Sequence, residues 1–171
     1  MTPQNLQDLY VYQLRDLLSA ETQLISALPT MAENASTPDL ERAFRDHLEE
    51  TRGHKARLEQ ILDRLKVDKS GHTCHGMKGL IKEAKELVDD STRLFGKDAP
   101  HGVRDAGLIA SAQRVEHYEI AGYGTVATYA EMLGRAEDHA LLGQTLEEEK
   151  KADSLLTRLA KESVNTRAAR A

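Results

Sequence analysis

Apolar side chains recur every three or four residues along most of the chain, which is the spacing of one face of an α-helix. The first such stretch predicts a helix from near Pro3 to Pro29, and the MAEN segment can continue it for one more turn. Its inner face is a stripe of leucines, namely Leu6, Leu14, Leu17, Leu24 and Leu28. The chain therefore begins with a long amphipathic helix.

A second long helix is predicted from about Pro38 to Leu65. Its start is marked by Ser36 and Thr37, because a hydroxyl side chain followed by proline at the first helical position is a common N-terminal signal. The inner stripe of this helix mixes apolar and polar residues, namely Leu40, Phe44, His47, Glu50, His54, Leu58, Ile61 and Leu65.

A connection with its own short helix comes next. Glycines mark Val67–Met77 as a loop, and the following residues predict a shorter helix over Lys78–Leu94. Gly96, Pro100 and Gly102 then indicate a second break. The whole connection is about forty residues long, too long for a simple turn between neighbouring helices.

Two more long helices complete the pattern. One is predicted from Val103 to Leu133, with Gly134 as its C-cap, and the other runs from Ala136 to Ser163. Two helical hairpins joined by one long connection are typical of a ferritin-like bundle. We therefore predict an all-α fold, a ferritin-like four-helix bundle with a long crossover carrying a short extra helix. Residues 1–166 form a single domain, and residues 167–171 form a frayed C-terminal tail.

The composition agrees with a helical domain and excludes some functions. Hydrophobic residues make up 40% of the 171 positions and aromatic residues only 4%, which favours helices over sheets. A net charge of −5 gives no basic surface for nucleic acid. The sequence has no apolar run long enough for a membrane span and no secretory signal at its N-terminus. With Cys74 as the only cysteine, no internal disulfide can form, and we expect a cytoplasmic protein.

Four glutamates occupy positions where the helical pattern asks for leucine. They are Glu21, Glu50, Glu116 and Glu149, one on the inner stripe of each long helix. A buried carboxylate is costly unless its charge is compensated. Two metal ions at the centre of the bundle would compensate all four. The simpler alternative is that they are surface acids, because 30% of the residues are charged. In addition, Glu49, Glu147 and Glu148 lie next to the chosen positions and could occupy the inner stripes in their place.

Three further residues extend this candidate metal site. His54 lies four positions after Glu50 and Asp153 four after Glu149, so each pair projects from one helix face, while Glu119 lies one turn beyond Glu116. The oxygen-rich set with one imidazole suits Fe or Mn.

The number of carboxylates limits how many of them bind metal. Six carboxylates exceed the charge of two dications by two. We therefore infer that one of them is protonated, lies beside the site or moves between roles, with Glu119 as the first candidate and Asp153 as the second. Their equivalent places in the two hairpins make Glu50 and Glu149 the natural bridging ligands. Glu21 and Glu116 are then terminal ligands.

Other polar residues on or near the helices have simpler explanations. His47, one turn before Glu50, is either a hydrogen-bonded core histidine or a residue beside the metal site. Tyr123 lies on the inner stripe of its helix, where packing is the simpler explanation. His72, Cys74 and His75 form a weak metal motif, and we expect Cys74 to pack in the crossover.

Four segments of the chain resemble the YciE/YciF family of ferritin-like bacterial stress proteins. They are SAETQL, HLEET, SAQRVEHYEIAGYGT and TLEEEKKAD, and the likeness extends over about residues 4–165. The resemblance implies a homodimer related to the rubrerythrin-type dimetal proteins. It places Glu21, Glu50, Glu116, Glu119 and Glu149 on the family's ligand positions. The wider ferritin-like pattern has histidine three residues after the glutamates of the second and fourth helices, where this chain has Gly53 and Ala152.

The main functional hypothesis is a stress-related dimetal protein that acts as an oxidoreductase on O2 or peroxide. It covers ferroxidase, peroxidase and catalase-like activities. The alternative is a non-enzymatic, stress-induced bundle with a structural or partner-binding role. An iron-storage cage fits less well, because the resemblance implies a dimer. In none of these hypotheses is a nucleic acid or a membrane a partner.

Overall fold

The computed structural model describes residues 2–95 and 101–170, and within them five helices of more than twenty residues make up most of the chain. Helix α1 spans Leu6–Asn34, α2 spans Pro38–Arg64 and α3 spans His75–Phe95. Helix α4 spans His101–Met132, α5 spans Ala136–Leu159, and a π-helical turn at Ala160–Val164 leads into the short α6 at Asn165–Ala168. The predicted all-α fold is confirmed.

The ends of the long helices follow local signals in the sequence. The side chain of Asn5 caps α1 by accepting a hydrogen bond from the backbone N–H of Asp8. Pro29 lies inside α1, which continues through the MAEN segment to Asn34 as the sequence allowed. Gly134 has a φ of 68°, the left-handed conformation expected of a glycine C-cap after α4.

Several predicted boundaries differ from the observed ones by a few residues. Helix α3 begins at His75 rather than Lys78, and α4 begins at His101 rather than Val103. The predicted break at Gly96 and Pro100 lies outside the described residues. The fourth long helix leaves regular α-geometry at Leu159, four residues before its predicted end.

The long helices form two hairpins that pack side by side. Helix α1 packs along α2, and α4 packs along α5, while the α1–α4 and α2–α5 contacts join the two hairpins. The crossover helix α3 covers α4 and α1 from outside. This is the predicted four-helix bundle with an extra helix in its crossover. Along residues 2–95 and 101–170, every helix is too short or too polar to cross a membrane.

The apolar core is divided into two parts by buried polar residues. The Leu58 cluster contains Tyr10, Leu14, Leu58, Ile61, Tyr123, Val126 and Leu142 among others. The Leu108 cluster contains Leu24, Leu28, Phe44, Met77, Leu108, Ile109 and Leu156 among others. Between them lies a set that we call the buried polar layer, namely Glu21, His47, Thr51, His54, Glu116, Glu119, Thr145 and Glu149. Every long helix of the bundle contributes to this layer.

The C-terminal segment packs against the start of α4. A β-carbon on Gly102 would lie 2.7 Å from the backbone nitrogen of Ala168, so the glycine permits this close approach. Helix α6 includes position 166, where the sequence suggested the end of the domain. The fraying of residues 167–171 in solution stays a prediction.

Candidate metal centre

One metal-sized cluster in the buried polar layer draws a residue from each of three helices. Glu21 comes from α1, His54 from α2 and Glu149 from α5, and all three side chains are fully buried. The His54 Nδ1 atom lies 2.9 Å from Glu149 Oε1 and 3.6 Å from Glu21 Oε1. The three candidate ligand atoms lie within 4.8 Å of one another. We call this set the His54 triad.

A second cluster of the same kind lies beside the first and shares Glu149 with it. It contains His47 from α2, Glu116 from α4 and the same Glu149. His47 Nε2 lies 3.3 Å from Glu116 Oε1 and 3.9 Å from Glu149 Oε2. We call this set the His47 triad. One oxygen of Glu149 therefore faces each triad, and the two histidine rings are 6.3 Å apart.

The buried polar layer contains a concentration of polar atoms without partners. Nine buried side-chain nitrogen and oxygen atoms of the two triads and Glu119 make no hydrogen bond of regular geometry within the described part of the chain, although several lie in ion-pair contact with one another. They include both carboxylate oxygens of Glu119 and of Glu149, and both ring nitrogens of His47. Buried polar groups are normally satisfied, so this many unpartnered atoms at one place indicate a binding site for something that accepts their lone pairs. Metal ions fit that description.

The electrostatics of the layer without metal favour protonated acids. Burial raises the pKa of Glu21 to about 8, against the opposing effect of the nearby His54. Burial also raises the pKa values of Glu116 and Glu119 well above the usual range. Burial alone would lower the pKa of His47, but the Glu116 carboxylate and other acids raise it to about 10. The layer therefore holds protons that bound cations would displace.

Glu149 behaves differently from the other buried acids. Burial would raise its pKa, but the contact with His54 lowers it below the usual value for a glutamate. The pKa of His54 is correspondingly raised, since its contact with Glu149 outweighs the effect of burial. Glu149 is therefore the carboxylate of the layer that is ionised most readily, which suits it to bind cations on both sides.

A charged pair outside the triads orients His54. Its Nε2 atom lies 3.0 Å from Glu148 Oε2, on the side of the ring away from Glu149. Glu148 is held in turn by the Arg57 guanidinium, with Nη2 3.1 Å from Oε1, and by Gln144. Hydrogen bonding of this kind fixes a histidine's orientation and tautomer, and it leaves Nδ1 free to bind a cation. From the sequence, Glu148 was considered only as an alternative to Glu149 on the inner face of the fourth long helix.

Tyr123 takes part in the site as well as in the core. It is fully buried, and its hydroxyl donates a hydrogen bond to Glu21 Oε1. Its ring centre is 6.2 Å from that of His54. Packing, the simpler explanation from the sequence, is therefore only part of its role.

The predicted ligand Glu50 lies at the edge of the site rather than on the inner face. Its side chain is 48% exposed, and its Oε2 lies 3.5 Å from His47 Nδ1. His47 and Thr51 occupy the inner positions of α2 instead. The structure thus brings Glu50 beside His47 and does not place it between the triads. A direct role in metal binding, as a bridge or otherwise, stays a prediction.

Asp153 lies outside both triads, one turn beyond Glu149. Its carboxylate accepts a hydrogen bond of 3.0 Å from Gln113 and lies 3.5 Å from His117, whose side chain is exposed. Asp153 is thus engaged in surface contacts between α4 and α5. Glu119, by contrast, is fully buried in the polar layer but belongs to neither triad.

The cysteine of the crossover packs as predicted. Cys74 and Met77 are fully buried. The Cys74 thiol lies 3.1 Å from an oxygen of Asp16, which also accepts a hydrogen bond from Tyr118. His72 contacts the other oxygen of Asp16 at 2.8 Å. These contacts fasten the loop before α3 to α1 and α4.

Comparison with known proteins identifies the family. The model of the family described as "Domain of unknown function (DUF892)" matches residues 5–169. The chain belongs to the DUF892 family. A relative within it, the protein YciF of Escherichia coli strain K12, is 44% identical over 171 residues, and the match covers 98% of each chain. The resemblance of four sequence segments to the YciE/YciF family is thereby confirmed.

Several solved structures have the same architecture as this chain. The crystal structure of the E. coli stress protein YciF matches with a TM-score of 0.86 at 43% identity, covering 95% of this chain and 99% of that one. YcfI of Rhodopseudomonas palustris matches with a TM-score of 0.80 at 42% identity, covering 90% and 94%. A protein of Xanthomonas campestris pv. campestris has the same fold at 19% identity, with a TM-score of 0.73 and coverage of 96% and 97%.

Proposed function

We propose that this DUF892 protein binds two metal ions, Fe or Mn, in its buried polar layer and acts with them as an oxidoreductase on O2 or peroxide. The observation that carries the proposal is the position of Glu149. It is fully buried, and it belongs to both triads, with Oε1 towards His54 and Oε2 towards His47. A carboxylate shared in this way is the arrangement of a bridging ligand between two cations.

The spacing of the other ligand atoms supports the proposal. Atoms bound about 2.1 Å from one ion stand about 3 to 4 Å apart from each other. The contacts of His54 with Glu149 and Glu21 measure 2.9 and 3.6 Å, and those of His47 with Glu116 and Glu149 measure 3.3 and 3.9 Å. One imidazole and two carboxylates at each position are ligands that suit Fe and Mn.

Charge balance also favours two ions. With Glu50 and Asp153 outside the layer, its carboxylates are Glu21, Glu116, Glu119 and Glu149. Four carboxylates match the charge of two dications, so the excess of two expected from the sequence is removed. Because the charges of the four carboxylates and the two dications add up to zero, the main cost of burying these acids is removed.

The protein residues control orientation, protons and water around the ions. When bound, Fe or Mn supplies the electrons needed to reduce O2 or peroxide. Glu148 holds His54 in one orientation, and Tyr123 donates its hydroxyl proton to a hydrogen bond with Glu21. Burial raises the pKa of Glu119 in the metal-free layer, so this residue is one that gives up a proton when the cations bind. The Leu58 cluster excludes water from the side of the layer that carries the His54 triad.

Metal analysis of natively purified protein tests the proposal. We expect close to two equivalents of Fe plus Mn per chain, and a gain in melting temperature when either metal is added to stripped protein. Metal content far below one equivalent, with no gain in melting temperature, would refute it. The control is the Glu149→Gln variant, which keeps the shape of the side chain but loses the charge shared by both triads.

Turnover of peroxide or O2 by the loaded protein separates the two functional hypotheses. Consumption by the wild-type chain that is absent from Glu149→Gln supports the oxidoreductase. Two tightly bound ions without consumption of either oxidant support the alternative, a non-enzymatic bundle with structural metals.

We also propose the homodimer implied by the family resemblance, and light scattering of the purified chain measures its mass directly.

A further inference from the structure

A cavity of about 200 Å³ leads to one half of the candidate metal centre. Residues of α1, α2, α4 and α5 line it, and its outer part is bordered by Asp46, Glu50 and Lys151. Most of its wall is apolar, formed by Leu24, Leu28, Met31, Phe44, Val115 and Leu156 among others. The cavity therefore has an apolar body of defined size rather than the polar surface of a water-filled cleft.

The polar side chains in the wall of the cavity are buried and incompletely paired. His47 is 7% exposed, and its ring nitrogens make only long contacts, of 3.3 Å with Glu116 and 3.5 Å with Glu50, rather than hydrogen bonds of regular geometry. Glu116 is 2% exposed, and its Oε2 has no partner either. Unpartnered atoms of this kind in an apolar pocket favour a ligand that brings one polar group and an apolar body.

The cavity reaches only the His47 triad. Its wall includes His47 and Glu116 but not Glu21, His54 or Tyr123. The His54 triad is closed off by its own helices and by the Leu58 cluster. A molecule that enters from the surface therefore meets the His47 side of the centre.

Charge at the mouth selects against an anionic ligand. Asp46 and Glu50 outnumber Lys151 there. A neutral hydroxyl group can donate a hydrogen bond to a carboxylate oxygen and accept one from an imidazole N–H, so it can pair with Glu116 and His47 together. The ring of Phe44 and the thioether of Met31 favour an aromatic body through edge and sulfur contacts. A cavity of about 150 Å³ can hold benzene, so a single ring fits in this one.

We propose that this cavity binds a small neutral phenol, with its ring among Leu24, Phe44 and Leu156. In the metal-free chain its hydroxyl group pairs with His47 and Glu116, the residues that would hold a cation in the loaded chain. The proposal deepens the proposed function, because it names the class of molecule that reaches the His47 triad, and it rests on that function for the chemistry expected there. Binding itself requires only the cavity and its two polar residues. It can therefore be measured apart from the metals.

The test uses ¹⁹F NMR of 4-fluorophenol with the full-length, metal-stripped chain. We expect saturable binding, and binding of 4-fluorobenzoate at least tenfold weaker because of the acidic mouth. Ala152 lines the cavity on α5 and is only partly buried, so Ala152→Leu fills space with little risk to folding. We expect it to weaken 4-fluorophenol binding at least tenfold. The matched control is Ala140→Leu, at an exposed position of the same helix outside the cavity.

Each outcome decides one point. Absence of saturable binding, equal binding by Ala152→Leu and wild type, or tighter binding of the benzoate overturns the phenol site. A third variant, His47→Leu, should lose the preference for 4-fluorophenol over fluorobenzene, and an unchanged preference also overturns it. Failure here with two metals still bound leaves the proposed function intact. Phenol binding by a chain that takes up no metal refutes the proposed function alone.

Discussion

Glu148 and His54 are joined across α2 and α5 by a contact of 3.0 Å between Oε2 and Nε2, on the opposite side of the imidazole from the candidate metal centre. The Arg57 guanidinium holds Glu148 in place and lowers its pKa against the effect of its partial burial. His54 is therefore held with its Nε2 proton on Glu148 and with Nδ1 towards Glu21 and Glu149, where a bound cation would replace the Nδ1 proton.

This relationship predicts that Glu148→Gln lowers metal affinity about tenfold or more without removing a ligand. The amide is a weaker acceptor for the imidazole N–H, so His54 becomes a poorer and less oriented ligand. Isothermal titration of stripped protein with Mn or Fe measures the effect. Glu147→Gln is the matched control, because the adjacent Glu147 is exposed and pairs only with Lys150. Equal affinities of the two variants would contradict the assigned role.

Glu149 and Glu50 are predicted to differ sharply on mutation. Glu149→Gln removes the charge that both triads share, so we expect it to abolish the stabilisation by metal. Glu50→Gln should retain most of that stabilisation, because Glu50 is half exposed and contacts only His47. Thermal melts with and without metal compare them. If the Glu50 variant loses as much of the stabilisation by metal as the Glu149 variant does, then Glu50 is a bridging ligand, as the sequence alone suggested.

The free energy of unfolding of the metal-free protein should fall as pH rises from about 4.5 to about 8. The Glu21 pKa is about 8 in the folded protein against an ordinary value of 4.5. Below both pKa values the carboxyl group of Glu21 is protonated in the folded and in the unfolded protein. Between the two pKa values it loses its proton only in the unfolded protein, which favours unfolding. The pKa of His47 is raised from 6.5 to about 10 in the folded protein, so His47 also makes the free energy of unfolding fall with pH, at higher pH values.

Urea denaturation at pH 5, 6.5 and 8 measures this slope. In the Glu21→Gln variant the slope should be flatter, and an equal or steeper slope would show that Glu21 is ionised in the folded protein. The same protons should be released when metal binds near neutral pH. Titration calorimetry in two buffers of different ionisation enthalpy counts them.

Two helical glycines should respond oppositely to alanine. Gly79 on α3 has no atom within 4 Å of an added β-carbon, so Gly79→Ala should stabilise the protein by about 0.5 to 1 kcal/mol. Gly102 on α4 would place its β-carbon 2.7 Å from the Ala168 backbone, so Gly102→Ala should give no gain or a loss. Urea denaturation compares the two variants.

A truncation distinguishes the cause of the Gly102 effect. In a chain that ends at residue 166, the clash with Arg167 and Ala168 is removed, and Gly102→Ala should then approach the gain seen at Gly79. A penalty that persists after truncation would show that the C-terminal segment is not its origin. A full gain in the untruncated chain would show that the tail frays in solution.

Helices and their pairing could be predicted from the sequence because they depend on local patterns. Apolar spacing, Pro38 and Gly134 mark the ends of helices, and the long connection with its own helix predicted two hairpins joined by a crossover. The boundaries at His75 and His101 were missed by a few residues, because the ends of these helices carry weaker signals than their centres.

The candidate centre could be predicted only in part. Glu21, Glu116 and Glu149 replace leucines on regular stripes, so their burial follows from spacing alone. On α2, taking Leu40 as the centre of the inner face and 100° per residue, His47 and Thr51 fall about 20° from it but Glu50 about 80°. The inner face of α2 therefore runs through His47 and Thr51. Glu50, which the steps of three and four placed on the same stripe as His47, lies to one side of that face.

The support of His54 by Glu148 could not be predicted. The two residues are 94 positions apart, and their contact exists only because α2 and α5 lie side by side. Asp153 shows the reverse case. Its spacing from Glu149 suits a ligand, but the neighbouring α4 offers Gln113 at that level, and Asp153 hydrogen-bonds there instead.

The division of the core into the Leu58 and Leu108 clusters bears on how the molecule holds together as a unit. Without cations, the two apolar ends are separated by a layer of unpartnered, partly protonated side chains, so each end can open with little effect on the other. Cations in the triads tie Glu21, His47, His54, Glu116 and Glu149 together, and these residues come from all four long helices of the bundle. If the proposed cations bind, we expect metal occupancy to set the cooperativity of unfolding, with the loaded bundle opening as one body and the empty one from either end.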